Sequence, residues 1–592
     1  MLVLFLASAL IGSGILFHHK RLLTYIALAG ILFEAELLVT TFLHRTVLST
    51  IDGYTFFLVA GVIYTTLWLS FYKKWKSPYT VPGSGLRDAY VGVALIIVLA
   101  AAYPIISRNG FQGEDFVMRG FYNGDVVTFA SLVQKSFDTV LLVQNNPFSG
   151  NGTLEYPTLL HGTVADFFTL LGIGKDWLRF LHLMVYVQIL LTIPLFFLVW
   201  DVAYIEPEQS AEKWFGVPSR NYIYALQACI ALFAIGLSFD SFSYPQSHFF
   251  LGGIFLATIA LFMQATAATG ISQIIPTISG FILASILLLS NTVTGTAAAA
   301  AAGVICLIRI FDKKRPVSER ALFLALGLGV ILLMKNASTG RTALNSLHFS
   351  VSSAMDMTRS GLTALLVLGA SLYSLGRKQY LAITTSTVSI LGFIIFFLSD
   401  RNIVTENASR FLYHGFLIGF PLLLPLTIQA IYFIRRELSL STRAMSEKIG
   451  GYFAILCIVG IGILPIGISV GNTYLSLLRG EERRVSLNDR TIFWWIDDNT
   501  KGDDIIITNP EEPYSLPLFT GRSMLRAKDY WLSQDDDTAA NLIHAYEGNK
   551  AAQQKTLQEG SYIILRKDDL PKWDISALEK MISTGDATVY KL

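Results

Sequence analysis

The residues best able to do chemistry in this 592-residue chain lie in polar segments between long greasy runs. FYNGDVVTFASLVQKS (121–136) puts Asp125 at the head of a helical pattern, and NNPFSGNGTLEYPTLLHGTVADFF (145–168) adds Glu155, Tyr156 and His161. A carboxylate at a surface can take the proton of an attacking hydroxyl. It can equally cap a helix by accepting from an unpaired backbone N–H, and the sequence leaves both roles open for Asp125. Among the cations, Arg410 in ENASRFLYH (406–414) stands just before an apolar run, and Lys335 and Arg341 flank NASTG (336–340). A guanidinium offers paired hydrogen bonds that fit a phosphate, yet at the end of a membrane span it also serves as a snorkelling anchor. His161 and His248 could orient a hydroxyl or a phosphate, or simply be solvated or packed.

The elements that must position these groups follow from composition. With 53% hydrophobic and 15% charged residues and a mean hydropathy of +0.52, the chain is too apolar for an ordinary soluble protein and reads as a polytopic α-helical membrane protein. A net charge of +2 favours neither a nucleic-acid partner nor an acidic one. Cys229, Cys306 and Cys457 all fall in apolar stretches, with neither metal-ligand nor disulfide-framework spacing. The basic HHKR follows the first apolar run instead of preceding it, so residues 1–17 read as a retained helix and not a signal peptide.

Further runs of roughly 16 to 23 residues, near the bilayer-crossing length, bring the total to about 14 spans. They fall near 22–43, 54–72, 89–106, 178–200, 222–238, 249–268, 274–290, 297–311, 321–335, 361–375, 380–398, 412–434 and 450–470. Alternating sides gathers 18–21, 73–87, 201–220, 309–320, 377–378 and 435–448 on one face. Those segments hold about 19 Lys and Arg against about 10 opposite, so the positive-inside rule makes them cytoplasmic and puts both termini outside a plasma or inner membrane. SNTVTGT (290–296) interrupts two short runs, leaving room for a re-entrant pair. The Ala tract at 296–303 reads as a close helix contact.

The organisation expected is a membrane domain over 1–474, with an extracytoplasmic loop at 107–177, and an extracytoplasmic α/β domain over 475–592. Strands are expected at 504–508, 561–566 and 587–592, and helices near 537–547, 549–558 and 575–583. DDD (535–537) reads as a helix start, and Trp494 and Trp495 as interface or packing residues in a helix that runs into a strand. From Asp125 on, Val126, Phe129, Val133, Phe137, Val140 and Leu141 recur at three- and four-residue intervals, with Ser131, Gln134, Lys135 and Asp138 on the other side. That pattern predicts an amphipathic helix lying in the membrane interface. Asn151, Asn336 and Asn407 each open an N-x-S/T sequon on the expected outer side.

The layout resembles the GT-C class of polyprenyl-phosphate-dependent glycosyltransferases. The matching pieces are Gly124–Asp125 with its helix, the turns at 147 and 156, the loop SFDSFSYPQSH (238–248), ENASRFLYH and FWWIDDNTKGDDIIIT (493–508). The resemblance implies an inverting transferase that moves a sugar from a polyprenyl-phosphate donor to a cell-envelope glycan, lipid or protein. Asp125 would be the base and Arg410 the phosphate clamp. It also brings in Asp240, whose loop would approach the site, with Phe239, Phe242 and Tyr244 as sugar-stacking or interfacial aromatics. Two features depart from the family: three extra helices precede the carboxylate loop, and the paired-acid signature is absent in strict form, which leaves Asp125, Asp240 and Glu155 as alternatives. No complete metal-ligand set is present, although Asp125 and Asp240 could share a divalent cation such as Mg or Mn if their loops converge. A lipid-linked polysaccharide polymerase or ligase is the main alternative. Span cores nearly free of charge argue against a transporter, and a non-enzymatic scaffold is the blandest reading.

Overall fold

The computed structural model describes residues 1–16, 18–19, 22–72, 80–81, 85–119, 125–143, 145–150, 154, 157–203, 227–232, 250–267, 271–313, 315–337, 482–509, 515–526 and 536–592, with isolated residues at 384, 387, 388, 468, 471, 474, 475, 478 and 479. The chain begins with α1 (Leu2–Leu16), β1 (His18–His19), α2 (Leu22–Thr46), α3 (Gly53–Tyr72), β2 (Thr80–Val81) and α4 (Gly85–Ile106). The polar segment that follows holds β3 (Gly110–Gln112), β4 (Asp115–Arg119), α5 (Asp125–Phe137), α6 (Leu159–Leu170) and a 3-10 helix over Gly174–Phe180. Then come α7 (Leu181–Ala203), α8 (Gly252–Ala267), α9 (Ile271–Ser290), α10 (Thr292–Phe311) and α11 (Val317–Ala337). Every apolar run expected before residue 204 or between 249 and 335 is thus a helix. Of the remaining runs, 222–238 is described only at 227–232, and those from 361 onward lie outside the described residues apart from isolated positions.

Five described helical stretches are long and apolar enough to cross a bilayer: Leu22–Thr46, Gly53–Tyr72, Gly174–Val199, Gln273–Ser290 and Val293–Phe311. Two of them replace the re-entrant alternative with a helical hairpin. Asn291 joins α9 to α10, and its side chain caps α10 by accepting from the Thr294 N–H. The turn is this tight because Gly295 has no side chain: a Cβ there would come within 2.3 Å of the Leu288 Cα. The Ala tract then packs as expected, with Ala297, Ala298, Ala301 and Ala302 fully buried.

Among spans expected to be nearly free of charge, α2 carries two carboxyl groups. Glu36 accepts from Ser8 Oγ on α1 at 2.7 Å and from Trp68 Nε1 on α3 at 3.0 Å, while Glu34 accepts from Gln188 Nε2 on α7 at 3.2 Å. Two positions apart on one helix, the two carboxyl groups reach different neighbours and tie α2 to α1, α3 and α7. The case against a transporter therefore rests on the polar detail of the loops.

Relative sidedness is visible in the pairing of distant segments. β1 pairs in parallel with β2, His18 opposite Thr80, so 18–19 and 80–81 share a face, as the charge count requires. On the other face, Arg45 at the end of α2 reaches residues 136–141, and Tyr54 donates to the Thr169 carbonyl.

Residues 482–592 supply β5 (Glu482–Val485), α12 (Leu487–Asn499), β6 (Ile505–Ile507), α13 (Ser515–Thr520), β7 (Ser523–Met524), α14 (Asp536–Tyr546), α15 (Lys550–Leu557), β8 (Tyr562–Arg566), β9 (Glu579–Ser583) and β10 (Ala587–Lys591). Their mixed sheet has the order β7-β6-β8-β10-β9, parallel from β7 to β8 and antiparallel from β8 to β9. Side chains alternate across it. Ile563, Leu565 and Tyr590 pack with Leu542, Tyr546 and Trp573 in a core of their own, whereas Ile506, Ile564 and Val589 join the core that runs into the membrane helices. The expected helix at 575–583 is instead strand β9 over its second half, paired with β10. Its Leu, Glu, Lys and Met residues favour helix locally, but the open edge of β10 overrides them. β5 pairs with β4, Phe116 opposite Val485, and so joins the early loop to the C-terminal unit in one three-stranded sheet.

Candidate functional site

Asp125 is the first residue of α5, and Lys335 lies in the last turn of α11; only their backbone is described. Glu155, Tyr156, Asp240, His248, Arg341 and Arg410 lie outside the described residues, and so does the expected sharing of a divalent ion between Asp125 and Asp240. His161 is described and belongs to the interior. It sits in α6 with no exposure, its ring 5.1 Å from that of Phe129 on α5. Burial drives its imidazole down to about 3, so the ring is neutral there. Val164 and Phe168, three and seven residues further along the helix, share its face and are the sequence signal that this side chain is inward-facing.

The frame that positions Asp125 is α5, and α5 does not lie free in the interface. Both of its faces are buried. The apolar face, with Phe129 and Val133, packs against α6 and the 3-10 helix, where Phe129 meets Trp177 edge-on at 6.4 Å. The polar face, expected to meet solvent, instead docks the C-terminal unit. Gln134 donates to the Phe519 carbonyl at 3.0 Å and accepts from Trp177 Nε1 at 2.9 Å. Lys135 Nζ donates to Ser523 Oγ at 2.7 Å. Close approach there requires Gly521, which has φ +68°; a Cβ on it would lie 2.9 Å from the Lys135 Cα. Sequence periodicity alone cannot tell solvent from a polar docking partner on the second face, which is why the interfacial expectation fails.

Two charged clusters fix the far end of α5, and the sequence reading singled out none of their cations. Arg45, 5% exposed, donates to the carbonyls of Ser136 at 3.0 Å and Thr139 at 2.8 Å and to Asp166 at 2.7 Å. It thereby satisfies carbonyls that a helix C-terminus leaves unpaired. Just beyond α5, Asp138 is shared by Lys175 at 2.8 Å and by Arg522, and Asp497 accepts from Lys175 at 2.6 Å. Arg522 also donates to the carbonyls of Asp497 and Thr500 at 2.8 and 2.9 Å. Burial raises the pKa of Asp497 in spite of these cations. Lys135 faces no carboxylate within salt-bridge distance among the described residues, and burial together with nearby Arg522 lowers its ammonium to about 8.

Beside this network a cleft of about 250 Å³ opens between β3, the 3-10 helix and α12, with Phe111, Asp176, Arg179, Arg490 and Trp494 in its lining. The signal for it was legible: Arg490 and Trp494 stand at i and i+4 on one helix, the spacing at which side chains meet. The frame therefore joins membrane helices, early loop and C-terminal unit into one body around α5. In chemical terms it holds the start of one helix in a fixed place about 18 Å, twelve residues at 1.5 Å each, from its anchored end.

No family model matches the sequence, and no curated protein does. Among solved structures the chain is similar to the archaeal oligosaccharyltransferase AglB from Archaeoglobus fulgidus, in complex with an inhibitory peptide and a dolichol-phosphate: 10% identity, 82% of this chain and 70% of that one, TM-score 0.49. It is also similar to ArnT from Cupriavidus metallidurans, both apo, at 13% identity over 85% of this chain and 97% of that one, and bound to undecaprenyl phosphate, at 12% over 85% and 98%; the TM-score is 0.44 in each case. At such identities, with TM-scores below 0.5, no activity transfers from those proteins to this chain.

Proposed function

We propose that the chain is an inverting glycosyltransferase of the membrane surface that moves a sugar from a polyprenyl-phosphate donor to a hydroxyl of a cell-envelope glycan, lipid or protein. In the reaction the acceptor oxygen attacks the anomeric carbon as the bond from that carbon to the phosphate oxygen breaks. The hydroxyl proton passes to the Asp125 carboxylate, and the departing polyprenyl phosphate keeps the electron pair, held against the Arg410 guanidinium. Both termini and the C-terminal unit would face the extracytoplasmic side, as the positive-inside count favours.

The observation that supports this reading is the position of Asp125 as the first residue of a helix clamped along its length. A general base must be held within hydrogen-bond reach of the proton it takes, and a fixed backbone meets that need better than a free loop. The test is sugar transfer by purified Asp125→Asn and Arg410→Ala from a panel of polyprenyl-phosphate sugars, with folding measured separately by thermal unfolding. Full transfer by folded Asp125→Asn removes the base, and full transfer by folded Arg410→Ala removes the clamp.

A further inference from the structure

The cleft beside the docking network carries a second inference, independent of Asp125 and Arg410. Its charges are not balanced. Lys175 is neutralised by Asp138 and Asp497, but among the described residues neither Arg179 nor Arg490 makes an ion pair with a carboxylate. Both guanidiniums nevertheless lie over the same ring: Arg490 is 5.0 Å and Arg179 6.0 Å from the centroid of Phe111. Arg490 is 6% exposed and donates from Nη1 to the Glu114 carbonyl, while its Nε is enclosed without an acceptor. Burial first, and Arg179 second, depress its pKa, outweighing the more distant Glu114 and Asp115 carboxylates, which act the other way. On its other side it stacks on Trp494 at 4.6 Å, so two rings hold its plane.

Two guanidiniums brought together with an enclosed donor left over form an arrangement that an anion completes. The neighbours narrow the class of ligand. Trp494 remains 46% exposed, and Asp176 is exposed in the lining, which adds an aromatic surface and an acceptor for hydroxyl groups. The volume, about 250 Å³, is that of about eight liquid waters at 30 Å³ each, on the scale of a monosaccharide.

We propose that this cleft binds a hexose-sized group carrying a phosphate or carboxylate, with Arg179 and Arg490 holding the anion and Trp494 the ring. The 3-10 helix that carries Arg179 leads directly into the membrane-crossing α7, so either a glycan or a lipid headgroup could bring such an anion to it. The test uses the full-length protein in phosphatidylcholine nanodiscs, titrated calorimetrically with glucose 1-phosphate, glucuronate and glucose. The expected result is that at least one of the two sugar anions binds tenfold or more tightly than glucose, and that Arg179→Gln, an exposed position whose change leaves folding intact, weakens this at least tenfold. Arg490→Gln should do the same, with its thermal unfolding followed in parallel. Nanodiscs containing phosphatidylglycerol separate the sources: competition with the sugar anion assigns a lipid headgroup, and lack of competition assigns a glycan. Absence of binding by both anions, equal binding of glucose, or undiminished affinity in Arg179→Gln overturns the site. Because binding is read without transfer, its failure is distinct from failure of the Asp125 reading.

Discussion

Replacing Lys135 by Met should change how the stability of the protein depends on pH, in a direction the docking geometry fixes. Lys135 is 3% exposed, and its ammonium hydrogen-bonds Ser523 with no carboxylate in salt-bridge range among the described residues. Burial lowers its pKa from 10.5 to about 8. A lysine depressed in the folded state binds its proton more weakly there than in the unfolded chain, so the penalty is fully present below pH 8. It fades as pH rises from 8 to 10.5 and is gone above that. At 1.36 kcal/mol per pKa unit the penalty is about 3 kcal/mol. Thermal unfolding in detergent, compared between wild type and Lys135→Met from pH 7 to 10.5, should show the wild type gaining on the variant through that window. Met has a similar volume and no charge, so the loss of the Ser523 hydrogen bond is a constant offset that the comparison removes. Parallel pH profiles for the two proteins would refute the claim that a charged lysine is buried between α5 and the C-terminal unit.

Gly521→Val should destabilise by about 2–4 kcal/mol, since a β-branched residue is strained at positive φ and its Cβ would overlap α5; an unchanged unfolding midpoint would show that the docking is looser. Arg45→Met should cost about 2–4 kcal/mol by stranding the carbonyls of Ser136 and Thr139 and by leaving the half-buried Asp166 with Thr41 but no cation, with partial recovery in Arg45→Met/Asp166→Leu, and the same unfolding assay reads both. In the membrane, Glu36→Gln keeps an acceptor for Ser8 and Trp68 and should be nearly neutral. Glu36→Leu strands both donors and should cost about 1–3 kcal/mol, so equal stability of the two variants would count against the interhelix hydrogen bonds.

How much the sequence revealed depends on the range of the interaction that decides each element. The membrane helices and the strands at 505–507, 562–566 and 587–591 were legible because local hydrophobic length and alternation set them. Strand β9 was not, because its pairing with β10 outweighs the helical preference of its residues. The β4–β5 pairing joins segments more than 360 residues apart, and no local pattern announces it. At the site, the start of α5 and its two-faced pattern were visible, but the meaning of the polar face was not, since Gln134 and Lys135 find their partners at Phe519 and Ser523. Glu34 and Glu36 stand inside a greasy run with no local sign of their role, because their donors come from three other helices. Arg45 carries no local mark in the sequence, and only the folded chain shows it bonded to the carbonyls at the end of α5.

The most direct test of the proposed chemistry is a single-turnover assay of sugar transfer from polyprenyl-phosphate donors by wild type and by Asp125→Asn, with donor binding measured on the same samples. The predicted result is a loss of about 10²–10⁴-fold in the transfer rate, the range for removal of a general base, with donor affinity and unfolding midpoint retained. Transfer by Asp125→Asn at the wild-type rate would contradict it.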